Sequence, residues 1–209
     1  ILNRTKVVSQ VAVVLDYNSL WANRIKPIHK EFTYEGYAQQ LVGQLAALGV
    51  NVDLIGTDHP LDGYRLVLVP FAPILPENFH RKCRDYAEKG GHLLAMTMAF
   101  SRDEWGSGIF EKSPVGMTDF FGMHVVEMEP VFDGQTDAPV RIGELTIRSH
   151  FWQETLESEG AEVLGVFRGT YRDGWPVLTE HPYGKGSALY LGTAPAPEDA
   201  SALLRWLLE

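Results

Sequence analysis

The strongest constraint on the fold is an alternation of short apolar runs with segments of helical periodicity, which fills the first half of the chain. Apolar runs of strand length occupy residues 11–15, 50–55, 66–69 and 92–98. Between them, apolar residues recur at helical spacing in residues 34–48 and 76–87. Strands that alternate with helices through short loops indicate a mainly parallel sheet with helices on both faces. The sequence therefore predicts an α/β fold.

The second half of the chain carries shorter strand signals separated by turns. Three of them lie at residues 145–148, 163–167 and 175–179, which suggests a small antiparallel extension beside the main sheet. A further apolar run at residues 187–192 precedes a final amphipathic helix that Pro197 opens. We expect one domain, residues 1–209.

Charge and composition exclude several classes of partner. The formal net charge is -9 and the isoelectric point is near 5.2, which argues against nucleic-acid binding because phosphates would be repelled. No apolar stretch reaches transmembrane length, so no membrane partner is expected. The one cysteine, Cys83, cannot form an internal disulfide. That fits a reducing compartment, and we expect a cytoplasmic protein.

Two features resemble parts of catalytic motifs, but a core position and a tight turn explain them better. Cys83 lies in the middle of a helical segment, whereas catalytic thiols usually occupy helix N-termini or strand-to-helix turns. We therefore predict a core residue. The stretch Gly184-Lys-Gly186 is followed by a strand and has too few glycines for a phosphate loop, so we interpret it as a tight turn between strands.

A polar and aromatic cluster follows the first apolar run, at the end of a strand where functional sites often collect. Its members are Asp16, Tyr17, Asn18, Ser19 and Trp21. Asp16 could serve as a general base or metal ligand if a second acid such as Asp103 or Glu104 lay nearby. Alternatively, Asp16 caps the following segment by accepting backbone N–H groups.

Residues 16–30 and 100–114 are predicted to be long irregular loops. They contain Trp21 and Trp105, which like Trp152 and Trp175 lie outside the predicted helices, and aromatic residues outside a core often mark protein interfaces or sugar-stacking sites. Closing the ends of the sheet explains each of them singly just as well. The seven histidines include no pair at the i, i+4 spacing of a helical metal site, and His150 is the best candidate of a weak set. No metal and no cofactor is expected.

Several stretches, taken in order, resemble the middle domain of glycoside hydrolase family 42 β-galactosidases. The resemblance covers nearly the whole chain and rests on residues 11–22, on the Tyr-x-x-Leu, Leu-Gly-Val and Val-Asp patterns of residues 37–54, on Leu61-Asp-Gly-Tyr-Arg-Leu-Val-Leu-Val-Pro70, on Tyr86-Ala-Glu-Lys-Gly-Gly91, on Gly174-Trp-Pro-Val-Leu-Thr179 and on Tyr183-Gly-Lys-Gly-Ser-Ala-Leu-Tyr-Leu-Gly-Thr193.

The resemblance implies a flavodoxin-like, three-layer sandwich like that of class I glutamine amidotransferases, and a role in trimer assembly. The catalytic glutamates of the family lie on a preceding TIM barrel that this chain lacks, so no catalytic residue can be carried over. The amidotransferase relatives place a nucleophilic cysteine in the turn after a strand. Here that region, residues 94–100, reads Leu-Ala-Met-Thr-Met-Ala-Phe and has no cysteine.

The residues and the resemblance together leave two functions open. The first is a non-catalytic domain that assembles a homo-oligomer, a trimer in the full-length enzyme, whose parent hydrolyses terminal β-D-galactosides. Its interface candidates are Asp16, Tyr17, Asn18, Trp21, Phe100, Asp103 and Trp105, with an indirect contact to a galactoside at a neighbouring subunit left open. The second is a stand-alone small-molecule or carbohydrate-binding domain that uses Asp16, Asn18 and Asp103. Both chain ends look like domain boundaries, so we expect a fragment of a longer protein.

Overall fold

The computed structural model describes residues 8–107, 111–131 and 138–209, and within these ranges the chain forms five helices and eleven strands. The helices are α1 (Tyr17–Ile25), α2 (Tyr34–Ala47), α3 (Glu77–Glu88), α4 (Thr118–Phe121) and α5 (Pro197–Leu208). The strands are β1 (Val11–Val14), β2 (Val52–Ile55), β3 (Leu66–Val69), β4 (His92–Met96), β5 (Met123–Pro130), β6 (Pro139–Ile142), β7 (Leu145–Ser158), β8 (Glu162–Phe167), β9 (Pro176–Tyr183), β10 (Gly186–Leu191) and β11 (Thr193–Pro195).

The first half of the chain builds a parallel sheet, as the apolar runs predict. Its strands lie in the order β2, β1, β3, β4 and β10, and each neighbouring pair is parallel. Every residue of β1 and of β3 is buried, which is typical of strands covered on both faces. The α/β class is therefore confirmed.

The antiparallel part of the sheet is larger than the sequence predicts. From β10 the sheet continues through β9, β8, β6, β7 and β11, and β5 also pairs with β7. Among the described residues six strand pairings are antiparallel and four are parallel. The expectation of a mainly parallel sheet with a small extension is thus wrong, and the sheet is mixed.

Strand β7 explains most of that difference. It has 14 residues and pairs with β5, β6 and β11, whereas the sequence signals only residues 145–148. Its second half buries the polar residues Gln153, Glu154 and Thr155. Because these residues face the interior, the alternation of apolar and polar side chains that marks a half-buried strand is lost.

Helix α1 also differs from expectation, since residues 16–30 were predicted to be an irregular loop. Residues 17–25 are helical, and the helix buries Ser19, Leu20 and Asn23. Two of these three residues are polar, so the segment lacks the apolar periodicity by which a helix is recognised.

Helix α3 and the turn between β9 and β10 match the sequence analysis. Phe79, Cys83, Tyr86 and Ala87 form the buried face of α3. Cys83 is fully buried, and burial raises the pKa of its thiol, so the prediction of a core residue is confirmed. Gly184 lies in the turn that connects two antiparallel strands, which confirms the interpretation of that glycine-rich stretch.

Candidate functional site

Asp16 lies where β1 ends and caps α1. Its Oδ2 accepts the backbone N–H of Ser19 at 2.8 Å, and the side chain is buried. Burial, the largest effect, raises the pKa of the Asp16 carboxyl, while hydrogen bonds from Ser19 lower it. The structure thus supports the capping interpretation of Asp16.

Replacing this cap should cost stability. We expect Asp16→Ala to lower the free energy of unfolding by about 1 kcal/mol, the usual loss when an N-cap is removed. Asp16→Asn is the matched control, because its amide oxygen still accepts the Ser19 N–H. Urea unfolding of the three proteins measures the difference, and equal midpoints for all three would show that the cap contributes nothing.

A groove of about 260 Å³ opens between α1 and the segments that follow β3 and β4. The Ser19 hydroxyl fixes α1 to the first segment, since it donates to the Ile74 carbonyl at 2.9 Å and accepts the Ile74 N–H at 3.1 Å. The second segment joins through the Arg102 N–H, which donates to the Pro73 carbonyl at 3.0 Å. The groove is lined by Ala22, Asn23, Ile25, Lys26, Ile28, Pro73, Ile74, Met98, Arg102 and Gly106.

Large apolar side chains are exposed around this groove. Tyr17, Trp21 and Ile25 are spaced four residues apart and so share one face of α1. Trp105 is next in sequence to Gly106, which lines the groove. These four residues expose between 56% and 84% of their surface. We call the groove and these four residues the α1 surface. Large exposed apolar residues beside a groove are typical of protein interfaces.

The other sequence candidates have different surroundings. Asn18 is exposed on the first turn of α1. Asp103 organises its own loop, because its Oδ1 accepts the N–H groups of Trp105 at 3.0 Å and Ser107 at 2.7 Å. Phe100 is fully buried, with its ring 5.7 Å from that of Phe121, and so lies in the core rather than on the α1 surface. Residues 108–110 of the predicted second loop lie outside the described residues.

Beneath the groove lies a buried carboxyl group that the sequence analysis did not identify as a site residue. Glu154 of β7 is fully buried, and its carboxylate accepts the Tyr190 hydroxyl at 2.9 Å and the Met98 N–H at 3.0 Å. Burial raises the pKa of Glu154 to about 7, against an ordinary value of 4.5. Met98 has a φ of 66°, a left-handed conformation that is uncommon outside glycine and often occurs at functional sites.

The described residues were compared with the requirements of a metal site and of a membrane-spanning helix. His150, the histidine that the sequence favours, packs its ring 3.8 Å from that of Phe151. Within residues 8–107, 111–131 and 138–209 there is no group of three or more His, Cys, Asp or Glu side chains placed to hold a metal ion. None of the helices in the same ranges is both long and apolar enough to cross a membrane.

Comparison with known proteins identifies the family. Residues 9–209 match the model of the β-galactosidase trimerisation domain. Among curated proteins, β-galactosidase LacZ of Heyndrickxia coagulans is 30% identical over 204 residues, covering 96% of this chain and 30% of its own length. β-Galactosidase BglY of Alicyclobacillus acidocaldarius is 28% identical over 204 residues, covering 93% of this chain and 29% of its own length.

Solved structures of β-galactosidases are also similar to this chain. The β-galactosidase of Halorubrum lacusprofundi is 28% identical, with a TM-score of 0.90, over 99% of this chain and 31% of that one. The β-galactosidase of Bacillus circulans sp. alkalophilus has a TM-score of 0.90 at 18% identity, over 98% of this chain and 31% of that one, which shows the shared fold. This chain spans about 30% of the length of the curated relatives it matches. It belongs to the trimerisation domain family of glycoside hydrolase family 42 β-galactosidases.

Proposed function

We propose that this chain is the non-catalytic trimerisation domain of a longer β-galactosidase that hydrolyses terminal β-D-galactosides. The family match over residues 9–209 carries the proposal. The curated relatives are named β-galactosidases and are more than three times as long as the aligned segment, which supports a longer parent chain. We further propose that residues 1–209 form one domain of that parent and that the parent is cytoplasmic, as the free Cys83 suggests.

We propose the α1 surface as a contact between copies. Its groove of about 260 Å³ is smaller than typical ligand pockets, which measure roughly 300–1,000 Å³. That size suits a side chain from a partner better than a sugar of several rings. The two carboxylates that a small-molecule site would use, Asp16 and Asp103, already accept backbone N–H groups. These observations favour assembly over binding of a free ligand.

Truncating an aromatic anchor of this surface should weaken the trimer. We expect Trp105→Ala in the full-length enzyme to cost about 2 kcal/mol per contact, as for interface hot spots, and so to raise the dissociation constant of each contact roughly 30-fold. Light scattering over a dilution series measures the effect. The matched control is Leu54→Ala on β2, which removes another exposed apolar side chain. Unchanged assembly in both Trp105→Ala and Trp21→Ala would exclude the α1 surface as the contact.

We also propose that the fold is flavodoxin-like and related to class I glutamine amidotransferases. The parallel order β2, β1, β3, β4, β10 has the arrangement 2-1-3-4-5 of flavodoxin-like sheets. The turn after β4 supports the relationship, since Met98 adopts a left-handed conformation within the region, residues 94–100, where the resemblance places the cysteine of those relatives. Because residues 94–100 include no cysteine, the turn has no thiol for acyl transfer.

A further inference from the structure

A second surface, built around a buried arginine, lies on the antiparallel part of the sheet. The loop of residues 168–175 between β8 and β9 is fixed to β5 and β7 by Arg172, which is only 1% exposed. Its Nε lies 3.2 Å from Glu127 Oε2, and its Nη1 lies 3.1 Å from Glu129 Oε1 and 3.1 Å from Gln153 Oε1. Within the described residues, Nη2 has no partner.

This buried arginine holds an exposed ring and two carboxylates in fixed positions. Its guanidinium lies 5.0 Å from the ring centre of Tyr171, whose hydroxyl donates to Glu129 Oε2 at 3.2 Å. Glu127 and Glu129 remain partly exposed, as do Tyr171 and Trp175. We call these four residues the acidic aromatic patch. One guanidinium against two carboxylates leaves a net charge of −1, so the patch suits a cationic and apolar partner.

The α1 surface has the complementary character. Its groove contains Lys26 and Arg102, and no acidic side chain is among the described residues that line it. The remaining lining is largely apolar and includes Ile25, Ile74 and Met98.

A closed ring of three identical chains requires two different, mutually complementary surfaces on each copy. We propose that the α1 surface of one copy binds the acidic aromatic patch of the next copy. In this contact Lys26 faces Glu129 and its neighbour Glu127, and an aromatic side chain of the patch enters the groove. The inference rests on the proposed trimerisation function and adds the pairing of surfaces to it.

A charge exchange in the full-length enzyme tests the pairing. Lys26→Glu and Glu129→Lys should each raise the trimer dissociation constant roughly tenfold or more, because each places like charges in contact. The double variant should return to within roughly threefold of the parent, because the exchanged charges attract again. Glu129→Lys also removes an ion-pair partner of the buried Arg172. Tyr171→Ala is therefore a second probe, and it should raise the trimer dissociation constant roughly tenfold. Lys89→Glu is the control, because Lys89 pairs with Asp62 in an exposed bridge elsewhere.

The outcomes separate this pairing from the function on which it rests. If Trp105→Ala weakens the trimer but Lys26→Glu and Tyr171→Ala do not, trimerisation through the α1 surface stands and the pairing is wrong. If the variants lower the melting temperature without changing the oligomeric mass, the patch contacts its own chain and the pairing is again wrong. A double variant that is weaker than either single variant would also overturn it. A monomeric parent enzyme would instead refute the proposed function.

Discussion

Gly186→Ala is expected to prevent folding or to lower the free energy of unfolding by more than about 4 kcal/mol, a loss confined to severe core disruptions. A Cβ at this position would overlap the Gly91 carbonyl oxygen and lie 2.8 Å from that of Ala87. Both are backbone atoms, so no rotamer change relieves the overlap. Strand β10 would have to move away from β4. Because β10 lies between β4 and β9, this movement would disrupt the sheet in its middle.

Gly43→Ala is the matched control for that substitution. Gly43 lies within α2, and a Cβ there would meet no atom within 4 Å. Alanine is the better helix former, so this variant should gain about 0.5–1 kcal/mol. Soluble yield and urea unfolding of the two variants give the comparison. A Gly186→Ala protein that folds with near-normal stability would mean that β10 does not approach α3 and β4 as closely as described.

The second large effect concerns pH and Glu154. Burial raises the pKa of this carboxyl to about 7 in the folded chain, whereas its ordinary value is 4.5. Between these pH values the folded state binds a proton that the unfolded state has lost, so stability falls as the pH rises. At 1.36 kcal/mol per pH unit, ionising Glu154 costs about 3 kcal/mol by pH 8.

Glu154→Gln should remove this dependence. Glutamine keeps an acceptor for the Met98 N–H, and the Tyr190 hydroxyl can still bond to the amide. We expect the variant to match the parent at pH 5 within about 1 kcal/mol and to exceed it by up to about 3 kcal/mol at pH 8. Glu144→Gln, at a fully exposed side chain, serves as the control. Stability curves of parent and Glu154→Gln that run parallel from pH 5 to pH 8 would contradict the assignment.

The parallel half of the fold was predictable because each strand is a continuous apolar run. Strands β1 and β3 consist wholly of buried aliphatic residues, and Gly49 and Gly122, both with positive φ, follow the helices before β2 and β5. The antiparallel part was predicted, but its extent was underestimated because β7 buries polar residues whose partners are distant in sequence. Glu154, for example, is bonded to Tyr190, which is 36 positions away.

The candidate site was predicted in part. The sequence correctly places Asp16 at the end of a strand, and its capping role follows from residue type alone. Helix α1 was missed because Ser19 and Asn23 face inward to bond the loop after β3. The burial of Phe100 depends on contacts with α3 and α4 that no local pattern encodes. The interface roles of Tyr17, Trp21 and Trp105 remain predictions.

The molar mass of the full-length enzyme in solution tests the central claim, assembly through the α1 surface, most directly. Light scattering of the parent enzyme should give three times the mass of one chain. The Trp21→Ala, Trp105→Ala double variant, measured at the same concentrations, should dissociate toward the mass of one chain. A parent that is monomeric, or a double variant that stays trimeric down to the lowest measurable concentration, would contradict it.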